Sequence, residues 1–180
     1  MLLVVDNGSI YTKNLIDFLT KKKVKFVNLK HIQVKLSEIQ NYNSFILSGR
    51  RQNNKEMNVL NSKIIQHTVL EQKNLLGICY GAEILALTIG GTIRKKNTLE
   101  KGDQEITILK ENPICTGIIN VFESHNYEIS RINNSMVSIA NSKNCLYEMI
   151  QLNNYNIFGT QFHPEMSSDG QALIDAFVSL

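Results

Sequence analysis

"NLLGICYGAEILALTIGG", Asn74 to Gly91, is the stretch whose reading decides the fold. Asn74–Ile78 is a short apolar run, as expected of a strand buried on both faces, and "AEILALTIGG" reads as a helix closed by a glycine pair. Cys79 therefore stands on a sharp strand-to-helix connection, with Gly77 and Gly81 on either side of it. On such an elbow the backbone is strained, and small flanking residues avoid clashes with strand and helix. The amides that open the helix point at the sulfur, which favours a thiolate and predicts a pKa below the free value of about 8.5. A buried cysteine in an ordinary turn fits the same five residues. Taken alone, Gly-x-Cys-x-Gly leaves both readings open.

Working outward, the first half of the chain alternates. Leu2–Asp6, Val24–Leu29 and Ser44–Gly49 are strand-like. "YTKNLIDFLTKK" carries Leu15, Ile16 and Leu19 at helical spacing, and Met57, Leu60, Ile64 and Thr68 trace a second helix. Strand–helix alternation implies crossover connections and a mostly parallel sheet with helices on both faces. After Gly91 the pattern changes. "QEITIL", "INVFES", "MVSIA", "LYEMIQL" and "YNIFGTQ" are short strands between polar turns, followed by a helix over Gly170–Leu180. These predict antiparallel additions to the sheet or a small second sheet. With no repeat or linker in between, residues 1–180 read as a single domain.

Composition narrows the function classes. The chain has 180 residues, a net charge of +3 and a hydrophobic fraction of 43%, ordinary for a soluble globular protein. The basic clusters Lys21–Lys23 and Arg94–Lys96 read as solvated surface beside element ends. No aromatic-interleaved basic stripe is present, so nucleic acid is not an expected partner. There is no signal-peptide pattern and no apolar stretch near the ~20 residues that a membrane span needs. Three cysteines without pairwise spacing suggest reduced thiols in the cytoplasm.

The second informative stretch is "NIFGTQFHPE", Asn156 to Glu165. If its strand runs parallel to the one ending at Ile78, His163 emerges at the same carboxyl edge as Cys79, where open α/β sheets bind ligands. A histidine there can take the thiol proton and deliver it to a leaving amine. Pro164 stiffens the link, and Glu165 can turn back to orient the imidazole. Amides of Tyr80 and near Gly49 lie at the same edge and are candidates for an oxyanion hole.

Together these motifs make the chain resemble the class I glutamine amidotransferases. "LGICYGAEILAL" is similar to their nucleophile elbow, "TQFHPE" to their His-Glu motif and "ILSG" to their oxyanion strand. The resemblance implies a flavodoxin-like α/β fold and a Cys79–His163–Glu165 triad that hydrolyses L-glutamine through a Cys79 thioester. It also implies a substrate site formed by Gly49, Tyr80, Glu83, Ser124, His125 and Tyr127. His125 reads equally well as a core histidine, and Tyr127 reads as packing. No metal site is expected, and no cofactor in this subunit. Gly8, Ser9, Tyr11 and Thr12 resemble the opening of GMP synthase glutaminases, and "FESHNYEI" resembles a segment of their archaeal, separate-subunit form. With no phosphate loop before Leu180, ATP and Mg²⁺ are expected on a separate ATP-pyrophosphatase subunit. Anthranilate or aminodeoxychorismate synthase subunits, or a catalytically impaired binding module, are the alternatives.

Two departures from the family bear on activity. Arg50 and Arg51 follow Gly49 where the family continues Gly-Pro, and arginine resists the positive φ that glycine allows. This predicts an oxyanion hole misaligned until a partner docks, or arginines that serve that docking or sit near an anionic ligand as fork-shaped donors. Glu83 stands in place of a glutamine, one helical turn past Cys79, where it faces the pocket, can pair with the substrate ammonium and opposes a thiolate.

Overall fold

Each strand of the first half is an unbroken apolar run because both of its faces are covered. In a computed structural model, which describes all 180 residues, the chain begins β1 (Leu2–Asp6), α1 (Thr12–Lys21), β2 (Phe26–Lys30) and β3 (Ser44–Leu47). It continues α2 (Lys55–Leu70), β4 (Asn74–Ile78) and α3 (Tyr80–Thr88). Leu2 and Val4 of β1 pack in one core with Leu15 and Leu19 of α1; Leu3 and Val5 join Met57, Ile64 and Leu85 of α2 and α3 in the other. The two-residue period of a strand thus divides one apolar run between two layers of helices. Asn54 caps α2, its side chain accepting from the Met57 amide at 3.0 Å.

The second half contributes β5 (Thr92–Ile108), β6 (Ile118–Arg131), β7 (Met136–Asn141), β8 (Met149–Leu152), β9 (Ile157–Thr160) and α4 (Ser168–Val178). All nine strands form a single sheet in the order β2-β1-β3-β4-β9-β8-β7-β5-β6. The pairings from β2 to β9 are parallel, and those from β9 to β6 are antiparallel. Of the two arrangements open in the sequence, the strands after Gly91 therefore extend the main sheet. Phe158 of β9 and Phe177 of α4 meet edge to face at 6.5 Å in the same core as α1.

The unexpected element is the length of the β5–β6 hairpin, 17 residues against 14, interrupted by an irregularity between Lys95 and Glu100. Arg94–Lys96 lie near the start of β5, where Arg94 and Lys95 are exposed as read and only Lys96 departs from a solvated surface. Only 14% of the Lys96 side chain is exposed, and its Nζ lies 2.7 Å from Glu100 and 2.8 Å from Glu128. Lys21–Lys23, at the end of α1, are exposed as expected. No helix is long and apolar enough to cross a membrane.

Candidate active site

Cys79 has φ 50° and ψ −102°, a conformation that costs a non-glycine residue on the order of 1–3 kcal/mol. Its amide donates to the carbonyl of Thr160 at 2.7 Å, and its own carbonyl accepts from the Ala82 and Glu83 amides at 3.0 Å. The flanking glycines make this turn possible. A Cβ on Gly77 would stand 2.4 Å from the Gly81 carbonyl oxygen, and one on Gly81 2.3 Å from that of Leu47. Strand β4, the elbow and strand β3 touch backbone to backbone.

Strands β4 and β9 are parallel with Ile78 opposite Thr160, so the chain leaving β9 reaches His163 at the edge where β4 delivers Cys79. The His163 amide donates to the carbonyl of Phe122 on β6 at 2.8 Å. A short turn over Pro164–Met166 brings the Glu165 carboxylate back to 2.8 Å from His163 Nδ1. A carboxylate accepts, so Nδ1 carries the hydrogen and Nε2 keeps its lone pair. Both side chains are almost wholly buried, and the Tyr11 ring packs against the imidazole at 4.6 Å. The Tyr11 hydroxyl donates to Ser124 Oγ at 3.2 Å.

Cys79 and His163 open onto a cavity of about 740 Å³, walled on one side by Tyr80 and Glu83 and on the other by Ser124, His125 and Tyr127. Of the residues singled out in the sequence, Glu165 and Gly49 stand behind this surface. Gly49 backs His163, where a Cβ would lie 3.0 Å from the imidazole Cε1. Tyr127 is 40% exposed at the rim. Arg50 and Arg51 also line the cavity. Neither Gly49 nor Arg50 has a positive φ, so the arginine sits in the loop without the strain its sequence position suggested. Its guanidinium stacks 4.3 Å over the Tyr80 ring and reaches to 3.9 Å from Glu83. Asn58 holds both, accepting from the Tyr80 hydroxyl at 2.8 Å and from Arg50 at 3.3 Å. No signal in the sequence marks Asn58, which reads there as one polar residue of a helix.

The electrostatics reverse one expectation. Burial first, and then the carboxyl groups of Glu83, Glu123 and Glu165 as they ionise, push the Cys79 thiol well above its ordinary range; the Tyr80 amide at the start of α3 opposes them. The helix terminus acts as anticipated, but the carboxylates converge from α3, β6 and the turn after β9. At rest the residue is a thiol, so its ionisation depends on a base. Glu83 is itself raised by burial and drawn back chiefly by Arg50.

The model of the family described as Glutamine amidotransferase class-I matches residues 3–179. The chain is 30% identical over 98% of its length to a glutamine-hydrolyzing GMP synthase of Wigglesworthia glossinidia brevipalpis, and spans only 36% of that protein. It is 29% identical to a glutamine-hydrolyzing GMP synthase subunit of Sulfolobus acidocaldarius, over 87% of each chain. A solved structure from Thermoplasma acidophilum, assigned as a GMP synthase subunit, superposes with a TM-score of 0.87 at 26% identity. It covers 99% of this chain and 92% of that one. With the elbow, the histidine–glutamate pair and the sheet order on the same scaffold, the chain belongs to the class I glutamine amidotransferases.

Proposed function

We propose that this chain is the glutaminase subunit of a two-subunit GMP synthase. In this reading it hydrolyses L-glutamine to glutamate and ammonia in the cytoplasm and supplies the ammonia to a separate ATP-pyrophosphatase subunit that converts XMP to GMP. The observation that carries the chemistry is the strained Cys79 elbow and the His163–Glu165 pair opening onto one cavity. His163 Nε2 takes the thiol proton as Cys79 Sγ attacks the side-chain amide carbon. The imidazolium, held by Glu165, then protonates the departing ammonia. The γ-glutamyl thioester left on Cys79 is cleaved by water, with His163 again the base. Amides of Tyr80 and near Gly49 stabilise the oxyanion, each such donor contributing about 2.7–4 kcal/mol in enzymes of this logic. Glu83 and the backbone around Ser124, His125 and Tyr127 hold the amino-acid head group. ATP and Mg²⁺ belong to the partner, and nucleic acid has no part.

The choice of acceptor is supported by the likeness to the Sulfolobus GMP synthase subunit across most of both chains and by Ser9 and Tyr11 lining the cavity. The test is reconstitution. Glutamate release should vanish in Cys79→Ala, and GMP should form from glutamine and XMP only once ATP is supplied together with an XMP-aminating subunit. Stimulation by a chorismate-aminating subunit but not by the XMP-aminating one would reassign the acceptor. Absence of glutamate release with either would overturn the glutaminase.

A further inference from the structure

In and behind the cavity wall lie buried ionisable side chains whose protons the chemistry above does not use. Glu123 and His125 of β6 and Glu148, just before β8, are 1%, 4% and 0% exposed. As ionised carboxylates, Glu123 and Glu148 would have no donor on any of their four oxygens, and His125 Nε2 has no partner satisfied by geometry alone. Buried polar groups in folded proteins are almost always paired, so protons must supply the missing bonds.

The geometry says where. His125 Nδ1 is 2.7 Å from the carbonyl oxygen of Tyr127. A carbonyl only accepts, so Nδ1 carries a hydrogen. Nε2 is then left 3.2 Å from Glu123 Oε2. A lone pair and a carboxylate repel at that distance, and one proton between them turns the contact into a hydrogen bond. Glu148, wholly buried and likewise without a donor, needs a proton of its own, and burial, followed by the charge of Glu123, raises its carboxyl group in that direction. Two protons therefore serve three groups, and the unit of neutral imidazole, two carboxylates and two protons has no net charge. Its charged surroundings are accounted for: Lys96 of β5 pairs with Glu100 and Glu128, and Glu83 faces it from α3. Glu100 stands 3.9 Å from His125 Nε2, and the Cys145 thiol lies near Glu148.

We propose that Glu123 and Glu148 are positioning residues that, with His125, form an uncharged two-proton unit behind Cys79 and keep negative charge away from the reacting sulfur. The proposal rests on Cys79 being the nucleophile. Loss of either proton leaves one negative charge in a buried setting beside the thiol. That charge opposes thiolate formation, in the direction in which an ionised Glu123 acts on Cys79. The unit and the thiol therefore titrate against each other.

The test is the pH dependence of Cys79 alkylation by iodoacetamide, read by mass spectrometry of its peptide so that Cys115 and Cys145 are counted apart. The wild-type curve should spread over a wider pH range than a single ionisation. Glu123→Gln should narrow it and run about tenfold faster on the rising limb above neutrality. A second measurement covers poor folding of that variant. Infrared spectra in D₂O at neutral pH should contain a protonated carboxylic-acid band that keeps its intensity in Glu165→Gln and weakens in Glu148→Gln. Superimposable single-ionisation curves, or no such band in the wild type, would overturn the proposal. Divergent curves in a protein that releases no glutamate would support it and count against the glutaminase reading instead.

Discussion

Replacing Gly81 by alanine puts a Cβ 2.3 Å from the carbonyl oxygen of Leu47, and replacing Gly49 puts one 3.0 Å from the Cε1 of His163. The two substitutions are chemically identical but press on different parts of the account. Leu47 belongs to a buried strand paired on both sides, so neither it nor the elbow yields freely. Relieving that overlap requires a backbone shift of about 1 Å, at a cost near the upper end of the usual 1–3 kcal/mol for overpacking. For a chain of this size that lowers the melting temperature by about 6–12 °C. At Gly49 the obstacle is a ring that yields by a few tenths of an ångström, so stability should stay within about 1 kcal/mol of wild type. That ring, however, is the proposed base, held by Glu165, Phe122 and Tyr11. Misplacing it should cut kcat for glutamate release by about tenfold or more. Thermal unfolding and glutamate release, measured on both variants, separate the two effects. A Gly81→Ala protein of wild-type stability would refute the close-packed elbow, and a fully active Gly49→Ala would refute the placement of His163.

Glu165→Gln removes the carboxylate that holds His163 Nδ1–H and its imidazolium, and lets an amide donor compete for the same position. The imidazole should lose its orientation and kcat should fall by about 10²–10⁴, with substrate affinity little changed in steady-state kinetics. Glu83→Gln removes one of the charges that oppose the Cys79 thiolate, so the midpoint of Cys79 alkylation should move down by about one pH unit; an upward movement would contradict the electrostatics. Burial pushes the carboxyl groups of Glu123 and Glu148 up to about 7 and about 9. The folded state then binds protons that the unfolded state has released, and stability is complete below the ordinary carboxyl range and lost as pH rises through these values. Melting temperature should therefore fall between pH 6 and 9, and Glu148→Gln should flatten the decline.

The parallel half of the fold was legible because its strands are buried on both faces. β1 and β4 have the limits the apolar runs suggested, and the glycines that frame Cys79 marked the elbow. The first part of β5 was not legible, since "TIRKKNTLEKGD" carries no apolar alternation. What tucks Lys96 in there is its pairing with Glu128, 32 positions away, which no local period records. The state of the thiol was misread for the same reason. The helix terminus is a local feature, whereas the opposing carboxylates of Glu83, Glu123 and Glu165 meet only in the folded chain. Glu165 was found because it lies two residues from His163; Glu148 was not, because "LYEMIQL" reads as an ordinary strand.

Incubation with an electrophilic glutamine analogue, followed by peptide mass spectrometry, tests most directly whether Cys79 is the nucleophile that His163 activates. One adduct per chain should form on the Cys79 peptide, be prevented by competing glutamine, and form far more slowly in His163→Ala. An adduct on Cys115 or Cys145 instead, or one on Cys79 that forms equally fast without His163, would contradict the account.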